Sequence, residues 1–424
     1  MRNIKYMGLF SFLFFVSILS PAQIKIITIE RCYELARLNY PLIKKHDLIS
    51  RSSNYSIENA GRLYLPQFSI SGQASYQSQT LSFPAALGGP GILLPAISKD
   101  QYKIQAEVDQ TIYDGGMIKN QQELIRVNTA SEQQNLEVNL YAIRDRITQL
   151  YFSILLMDEQ KAQNDIKKNN FQSAADQEIA AYQNGTALKS NVDEFQAEIA
   201  NTEMTNIELK SNRKAYTDML SVFTGLNING ETELLMPPQQ LTDPIIRRPE
   251  LSLFDLEKNM FNVQEKQLKT DYMPKLNAFI QAAYGRPTLN FIENEFGSWW
   301  IGGIRLFWNL GSLYSLKNNR NNLRINKEYL DIDKETFIYN TNLSLSRQNE
   351  EVLKYAALLR QDDTVISLRT SVASTARSQL DNGVITVHDY ISKINEENLA
   401  RQTKILHSIQ LIQAQYQYKN TSGN

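Results

Sequence analysis

Two hydrophobic rhythms alternate along this chain. From Gln67 to Gln79 the odd positions are polar (Gln67, Ser69, Ser71, Gln73, Ser75, Gln77 and Gln79), while Phe68, Ile70, Gly72, Ala74 and Tyr76 hold even ones. After a Pro- and Gly-bearing loop from Thr80 to Asp100 the pattern resumes, with Tyr102, Ile104, Ala106, Val108 and Ile112 set against Gln101, Lys103, Gln105, Glu107, Asp109 and Thr111. A second pair of runs carries Leu276, Ala278, Ile280, Ala282 and Tyr284, then Trp300, Gly302, Ile304, Leu306 and Trp308. Strict alternation over such lengths marks strands with one apolar and one polar face. Strands are expected at about 66–80, 100–113, 274–286 and 298–309.

The other rhythm is helical. All 12 prolines lie at or before residue 95 or between 237 and 287, which leaves Ala96–Met236 and Thr288–Asn424 free of them. An interior proline costs a helix about 3 kcal/mol, so its absence permits very long helices. A single helix over Met117–Asn184 would reach about 100 Å. Further on, Val192, Phe195, Ile199, Thr202, Asn206, Leu209, Arg213, Tyr216, Leu220 and Phe223 step by threes and fours, a coiled-coil seam diluted with polar residues in its middle. A weaker seam ends in Ile405, Ile409, Ile412 and Tyr416.

The two rhythms occur twice in the same order. Tyr64-Leu65-Pro66 before the first strand recurs as Tyr272-Met273-Pro274, and Tyr113-Asp114-Gly115-Gly116 recurs as Trp308-Asn309-Leu310-Gly311. Each proline is expected to end a helix and to open a strand at its first position, where a missing N–H does least harm. Asn184-Gly185 and Asn382-Gly383 suit the left-handed residue that ends a helix. Capping boxes, Ser190-x-x-Asp193 and Thr386-x-x-Asp389, are expected to restart the next one, out of step with each other. The organisation read from these signals is a first repeat over 23–225 with a helical hairpin at 117–225, a linker at 226–244, and a second repeat over 245–424 with a hairpin at 312–420. Each repeat reads short helix, strand, outer loop, strand, long helix, turn, long helix.

Aromatics gather near the strand ends: Tyr76, Tyr102, Tyr113, Tyr284, Trp299, Trp300, Phe307 and Trp308. Such clustering is expected of the girdles that flank a membrane β-barrel, although one face of a soluble β-sandwich would alternate in the same way. Secretion, the small number of strands and the length of the flanking helices favour the membrane. Four strands cannot close a barrel, and an open edge in lipid leaves unpaired backbone groups costing several kcal/mol each. The residues therefore call for a barrel shared between chains.

Secretion is read from the N-terminus: Arg2 and Lys5, an apolar run from Met7 to Leu19, then Ser20-Pro21-Ala22 as a cleavage site. A signal peptide at 1–22 and a mature start near Gln23 are expected, the alternative being an uncleaved anchor helix. That run is shorter than the roughly 20 residues a spanning helix needs. Lys and Arg total 44 against 45 Asp and Glu, so there is no electrostatic footprint for nucleic acid. A negative mean hydropathy excludes a polytopic helical membrane protein but not a barrel. The lone Cys32 falls at a buried position of a helical pattern, with no partner for a disulfide. His46, His388 and His407 lack metal-ligand spacing, and no phosphate loop, nucleophile elbow or paired-carboxylate motif occurs, so no enzyme and no cofactor are expected. Gly88-Gly89-Pro90-Gly91 needs no role beyond turn-making.

With these residues in hand, the chain resembles the TolC-type outer-membrane efflux protein family. The segment Ile27-Thr28-Ile29-Glu30-Arg31-Cys32-Tyr33-Glu34-Leu35-Ala36-Arg37-Leu38-Asn39-Tyr40-Pro41 is similar to the family's opening helix, with one extra residue before the proline. Arg248-Pro249-Glu250-Leu251, Tyr272-Met273-Pro274-Lys275-Leu276 and both strand-end aromatic-Gly motifs also fit, across nearly the whole mature chain. The resemblance implies an α+β membrane protein: a homotrimeric 12-stranded β-barrel, four strands per chain, continuing into a long periplasmic α-helical coiled-coil barrel. Its implied partners are other copies of itself, outer-membrane lipid, a periplasmic adaptor (membrane fusion) protein and an inner-membrane RND-type or ABC transporter.

The resemblance also implies roles for individual residues. The turns Asn184, Gly185, Thr186, Ala187 and Leu188, and Asn382, Gly383, Val384 and Ile385, would form the periplasmic tip where an adaptor docks. Asp389 matches an acidic residue that rings the closed entrance in relatives, and Asn191 is its counterpart in the first half. Ile385 and Ser392 stand where relatives carry an arginine and a second aspartate, so a salt-bridge lock is not expected. Tyr76, Tyr102, Tyr113, Tyr284, Trp300 and Trp308 would lie at the membrane interfaces. The leading expectation is an exit duct of a tripartite efflux pump; the outer-membrane component of type I protein secretion and a periplasmic coiled-coil scaffold are the alternatives.

Overall fold

The computed structural model describes residues 26–80, 97–230, 232–241, 243–290 and 294–424; the expected leader and the Gly88-Gly89-Pro90-Gly91 loop lie outside them. In chain order the elements are β1 (Ile26–Ile27), α1 (Ile29–Asn39), a 3-10 turn (Pro41–Lys44), α2 (Lys45–Arg62), β2 (Gln67–Tyr76) and β3 (Asp100–Tyr113). There follow α3 (Met117–Tyr141), α4 (Ile143–Gln183), α5 (Lys189–Thr224), β4 (Glu233–Leu234) and α6 (Pro249–Thr270). The chain then forms β5 (Lys275–Arg286), β6 (Gly297–Phe307), α7 (Ser312–Asp381) and α8 (Val387–Ser422). The chain divides into two compact units: one holds the start up to Ala36, Ile147–Gln239 and Leu358–Ile412, the other Arg37–Arg146, Gln240–Ala357 and Gln413–Asn424.

The second of these units contains one four-stranded antiparallel sheet in the order β2-β3-β5-β6. Both hairpins are thus joined through β3 and β5, and β2 and β6 are the edges. Strand β2 stops at Tyr76, short of the alternation that continues to Gln79, because its partner β3 begins only at Asp100. Pro66 and Pro274 stand one residue before β2 and β5, not at the first strand position. Here Asp114 organises the passage from strand to helix: its carboxylate accepts the N–H of Gly116 at 2.8 Å and of Ile118 at 2.6 Å, satisfying donors that the first turn of α3 leaves open. Asn309 accepts the N–H of Gly311 at 3.2 Å in the corresponding place before α7.

One expected element is divided. The helix projected over Met117–Asn184 breaks at Ala142 into α3 and α4, although the Ala142 N–H still reaches the Val138 carbonyl at 3.2 Å. Its neighbour Tyr141 has the Arg144 and Arg248 guanidinium groups 4.7 and 4.8 Å from its ring centre, and donates its hydroxyl to the Asn420 carbonyl at 2.8 Å. Burial pushes the Tyr141 phenol above its ordinary pKa.

The helices of the other unit are α4 from Ile147 on, α5, α7 from Leu358 on and α8 up to Ile412, with most of α1. The seam residues of α5 are each buried or half-buried, as their spacing predicts. Its polar middle is satisfied rather than wet: Asn164 of α4 is 2% exposed and donates to the Thr202 carbonyl at 2.8 Å and to Asn206 at 3.0 Å. Lower on the same seam Arg213 holds Asp158 and donates to the carbonyl oxygens of Thr232 at 2.9 Å and Asn229 at 3.3 Å. The segment read as a linker carries β4, which lies parallel to β1, and the buried Tyr151 hydroxyl sits 2.8 and 2.6 Å from the Ile27 and Leu235 carbonyls beside them. Cys32 is fully buried, and desolvation pushes its thiol up to about 12. His407 Nδ1 lies 2.7 Å from a carboxylate oxygen of Asp362, and both side chains are largely buried.

Candidate functional site: the sheet faces and the helical turns

Register converts the alternation into two continuous surfaces. Across the four strands Phe68, Val108, Ile280 and Gly302 form one row, Ile70, Ala106, Ala282 and Trp300 the next, and Gly72, Ile104, Tyr284 and Ser298 a third. These rows share one face, and that face is uncovered: Ile70 is 78% exposed and Trp300 70%. An apolar surface of this extent is not what a sheet packed in a water-soluble core presents.

The opposite face carries Gln67, Ser69, Ser71 and Gln73 on β2, with Glu107 and Asp109 on β3, Asn277 and Gln281 on β5, and Arg305 on β6. Arg305 lies over the Phe279 ring at 4.4 Å and reaches Asp109 at 3.2 Å and Glu107 at 3.4 Å. Phe279 has room for this stacking because its register partner is Gly303, where a Cβ would come within 3.3 Å of the ring. This charged latch was missed in the sequence. The signal was present as an acidic pair two residues apart on β3 and one arginine in the otherwise uncharged β6.

The aromatic residues divide between the two ends of the sheet. At the end bearing the β2–β3 connection, Tyr102 and Tyr284 have their ring centres 6.1 and 6.0 Å from that of Phe296, and Tyr76 is exposed. Trp300 stands one row further in, opposite Ala282. Toward the helices stand Tyr113 and Trp308, the latter donating its indole N–H to the Tyr272 carbonyl at 2.8 Å.

In the helical unit both turns have the same backbone. The Gly185 N–H reaches the Tyr182 carbonyl and the Thr186 N–H the Ala181 carbonyl, each at 2.9 Å; Gly383 and Val384 repeat this with Leu380 and Gln379 at 2.9 and 2.8 Å. These are Schellman closures, and both glycines adopt the left-handed φ they require, +76° and +68°. A side chain at either position would be strained while meeting nothing in space.

The helix restarts correct the capping expectation. Thr386 and Asp389 form the reciprocal box: the Asp389 N–H donates to the Thr386 hydroxyl oxygen at 3.1 Å, and the Thr386 N–H to the Asp389 carboxylate at 3.2 Å. Ser190 and Asp193 do not, since α5 begins at Lys189 with Leu188 in the cap position and no side-chain acceptor there. The Schellman closure fixes where each helix can restart, so Leu188 and Thr386 occupy the same step and the two turns are in phase.

The turns stand on a shared core of Phe171 and Ala175 from α4, Phe195 from α5, Ala373 and Ala376 from α7, and Val387, Tyr390 and Ile391 from α8. Full burial of side chains such as Phe195 contributes roughly 2–3 kcal/mol each. Above that core the outer residues are uncovered: Leu188 is 69% and Val384 68% exposed, and Asn184, Gly185, Thr186, Asn382 and Gly383 are also exposed, with Ala187 and Ile385 half-buried. Asn191 donates to Glu178 at 2.7 Å, and Asp389 is exposed while held by its cap. Hydrogen bonds from the Thr386 hydroxyl and N–H hold the Asp389 carboxyl below its ordinary pKa.

No cluster of metal-ligating side chains occurs among the described residues, and no described helix is long and apolar enough to cross a membrane.

The model of the outer membrane efflux protein family matches residues 32–225. No curated protein matches the sequence. Among solved structures, the outer-membrane channel OprN superposes with a TM-score of 0.67 at 11% identity, over 93% of this chain and 89% of that one. The outer membrane protein VceC from Vibrio cholerae gives 0.66 at 9% identity, covering 93% and 96% of the two chains. The Campylobacter jejuni CmeC outer membrane channel gives 0.61 at 12% identity, covering 93% and 85%. The family match over residues 32–225 and the fold shared along nearly all of the chain make this protein similar to the TolC-like outer membrane efflux proteins.

Proposed function

We propose that the protein is an outer-membrane exit duct, through which substrates pass passively from a periplasmic adaptor and an inner-membrane transporter to the exterior. The observation that carries this reading is the sheet: one face apolar and uncovered, the other polar, and both edge strands without partners among the described residues. In lipid such a sheet must close on copies of itself, because unpaired N–H and C=O groups find no water there. Three copies give a barrel of twelve strands, with the apolar face toward lipid and the aromatic residues at its two rims. The family match and the solved channels support this assembly.

Under this reading each repeat supplies two strands and one helical hairpin, and the segment up to residue 22 is the export signal. The helical turns are the docking tip, with Leu188 and Val384 as the apolar contacts for an adaptor. Three Asp389 carboxylates, with Asn191 as their counterpart in the other hairpin, ring the entrance and give weak cation selectivity. Equal reversal potentials for the unmodified channel and an Asp389→Asn variant would remove that assignment.

A tripartite efflux pump, RND-type or ABC-driven, is the preferred context, with type I protein secretion as the second. Fractionation and mild-detergent extraction test the core reading. The protein is expected in outer membranes and as a trimer; recovery as soluble protein without detergent would return it to the class of periplasmic coiled-coil scaffolds.

A further inference from the structure

The open edges of the sheet define how copies fit together. We propose that β6 of one copy pairs antiparallel with β2 of the next in a single register, with Gly302 facing the neighbour's Gly72; this rests on the trimeric reading above.

The argument starts from the register within one chain. A line drawn perpendicular to the strands from Gly72 passes through Ile104 and Tyr284 and reaches Ser298. In a closed barrel the strands tilt, so a perpendicular circuit must return displaced along the strand. The displacement per copy must be even, because an odd one would turn the apolar face inward. With about 3.3 Å of rise per residue and about 4.8 Å between strands, displacements of two, four and six residues per copy tilt twelve strands by about 19°, 35° and 46°. Membrane barrels tilt by about 35–45°, which leaves four and six.

Pairing decides between them. A displacement of four toward the loop end sets Ser298 opposite Tyr76, and all of β2, Gln67–Tyr76, is then matched by residues of β6. A displacement of six carries Ser298 past the end of β2 and leaves Gln67 and Phe68 unmatched. The same displacements in the opposite direction leave most of β2 without a partner. Full pairing and the required tilt therefore select one register.

The side chains agree with it. On the lipid face Ile70 meets Ile304, Phe68 meets Leu306 and Ala74 meets Trp300. That last pair repeats within the chain, where Trp300 lies against Ala282 on its other side. Gly72 and Gly302 face each other, and a Cβ added at Gly72 meets nothing while one at Gly302 makes only ordinary contacts.

Cysteine cross-linking in the full-length protein tests the register, since directly opposite positions lie within disulfide reach and the two edges of one sheet do not. Gly72→Cys is combined in turn with Gly302→Cys, Trp300→Cys and Ile304→Cys; Gln73→Cys with Ile301→Cys is a second in-register pair on the polar face. Cys32 does not compete, being fully buried. In trimers recovered in mild detergent, the Gly72–Gly302 and Gln73–Ile301 pairs are expected to give covalent dimers and trimers at least tenfold more abundant than either offset pair. Trimers that cross-link best at Trp300 or Ile304, or at none of these positions, overturn the register while leaving the duct intact. A protein that is monomeric and soluble overturns both.

Discussion

Arg305 on β6 lies 3.2 Å from Asp109 on β3, although β5 runs between the two strands. The guanidinium crosses over Phe279 to get there, so three strands are tied on their polar face by one side chain. Arg305 is about half exposed, and an exposed pair of this kind contributes roughly 0.2–1 kcal/mol. A double-mutant cycle of Arg305→Ala and Asp109→Ala, read by thermal unfolding, is expected to give a coupling in that range that shrinks as salt is added. A coupling of zero would mean that Glu107 and the aromatic stacking hold Arg305 without help from Asp109.

The polar seam makes a larger prediction. Asn164 is buried and serves both the Thr202 carbonyl and Asn206. Asn164→Ala is expected to destabilise the packing of α4 on α5 by about 1–3 kcal/mol, since it strands buried polar groups. Amide exchange along both helices should accelerate around residues 160–170 and 200–210, with the sheet unaffected.

The two turns permit a substitution that separates stability from docking. Leu188→Thr gives α5 the capping side chain that α8 already has, and is expected to gain about 1 kcal/mol in local stability. If Leu188 is an adaptor contact, the same variant should export less well despite its firmer helix. Unchanged export with higher stability would take Leu188 out of the docking surface.

Acid should loosen only one of the two turns. The Asp389 carboxyl is held below its ordinary pKa by Thr386, so it is deprotonated more readily in the folded hairpin than in the unfolded chain. Its stabilising contribution is therefore complete above the ordinary carboxylate range and is lost as pH falls through the lowered value. Amide protection at Thr386, corrected for intrinsic exchange, is expected to fall on acidification, and Asp389→Asn should flatten that dependence. The turn at Leu188 has no such box to lose.

How much of this was legible depends on whether the information was local. Alternation gave the strands and which residues share a face, because side-chain direction in a strand has a fixed period. The spacing of Val192 to Phe223 marked the α5 seam for the same reason. Ser190 misled because a capping sequence is necessary but not sufficient: the closure at Gly185 had already fixed Leu188 as the cap. The break at Ala142 carries neither proline nor glycine, and the contacts of Tyr141 with Arg248 and Asn420 come from distant segments. Arg305, Glu107 and Asp109 meet only because β3 pairs with β5, which no short stretch of sequence records.

That central pairing also sets a timetable. Ile104 and Tyr284 are neighbours in the sheet but roughly 180 residues apart in the chain. The first hairpin is made early and then waits, its apolar face bare, while the whole of α3 to α6 is synthesised. Contacts of such long sequence separation form slowly and leave hydrophobic surface open to aggregation in the interval. The arrangement that joins the halves through their middle strands thus makes the first hairpin the part of this protein most in need of protection until β5 arrives.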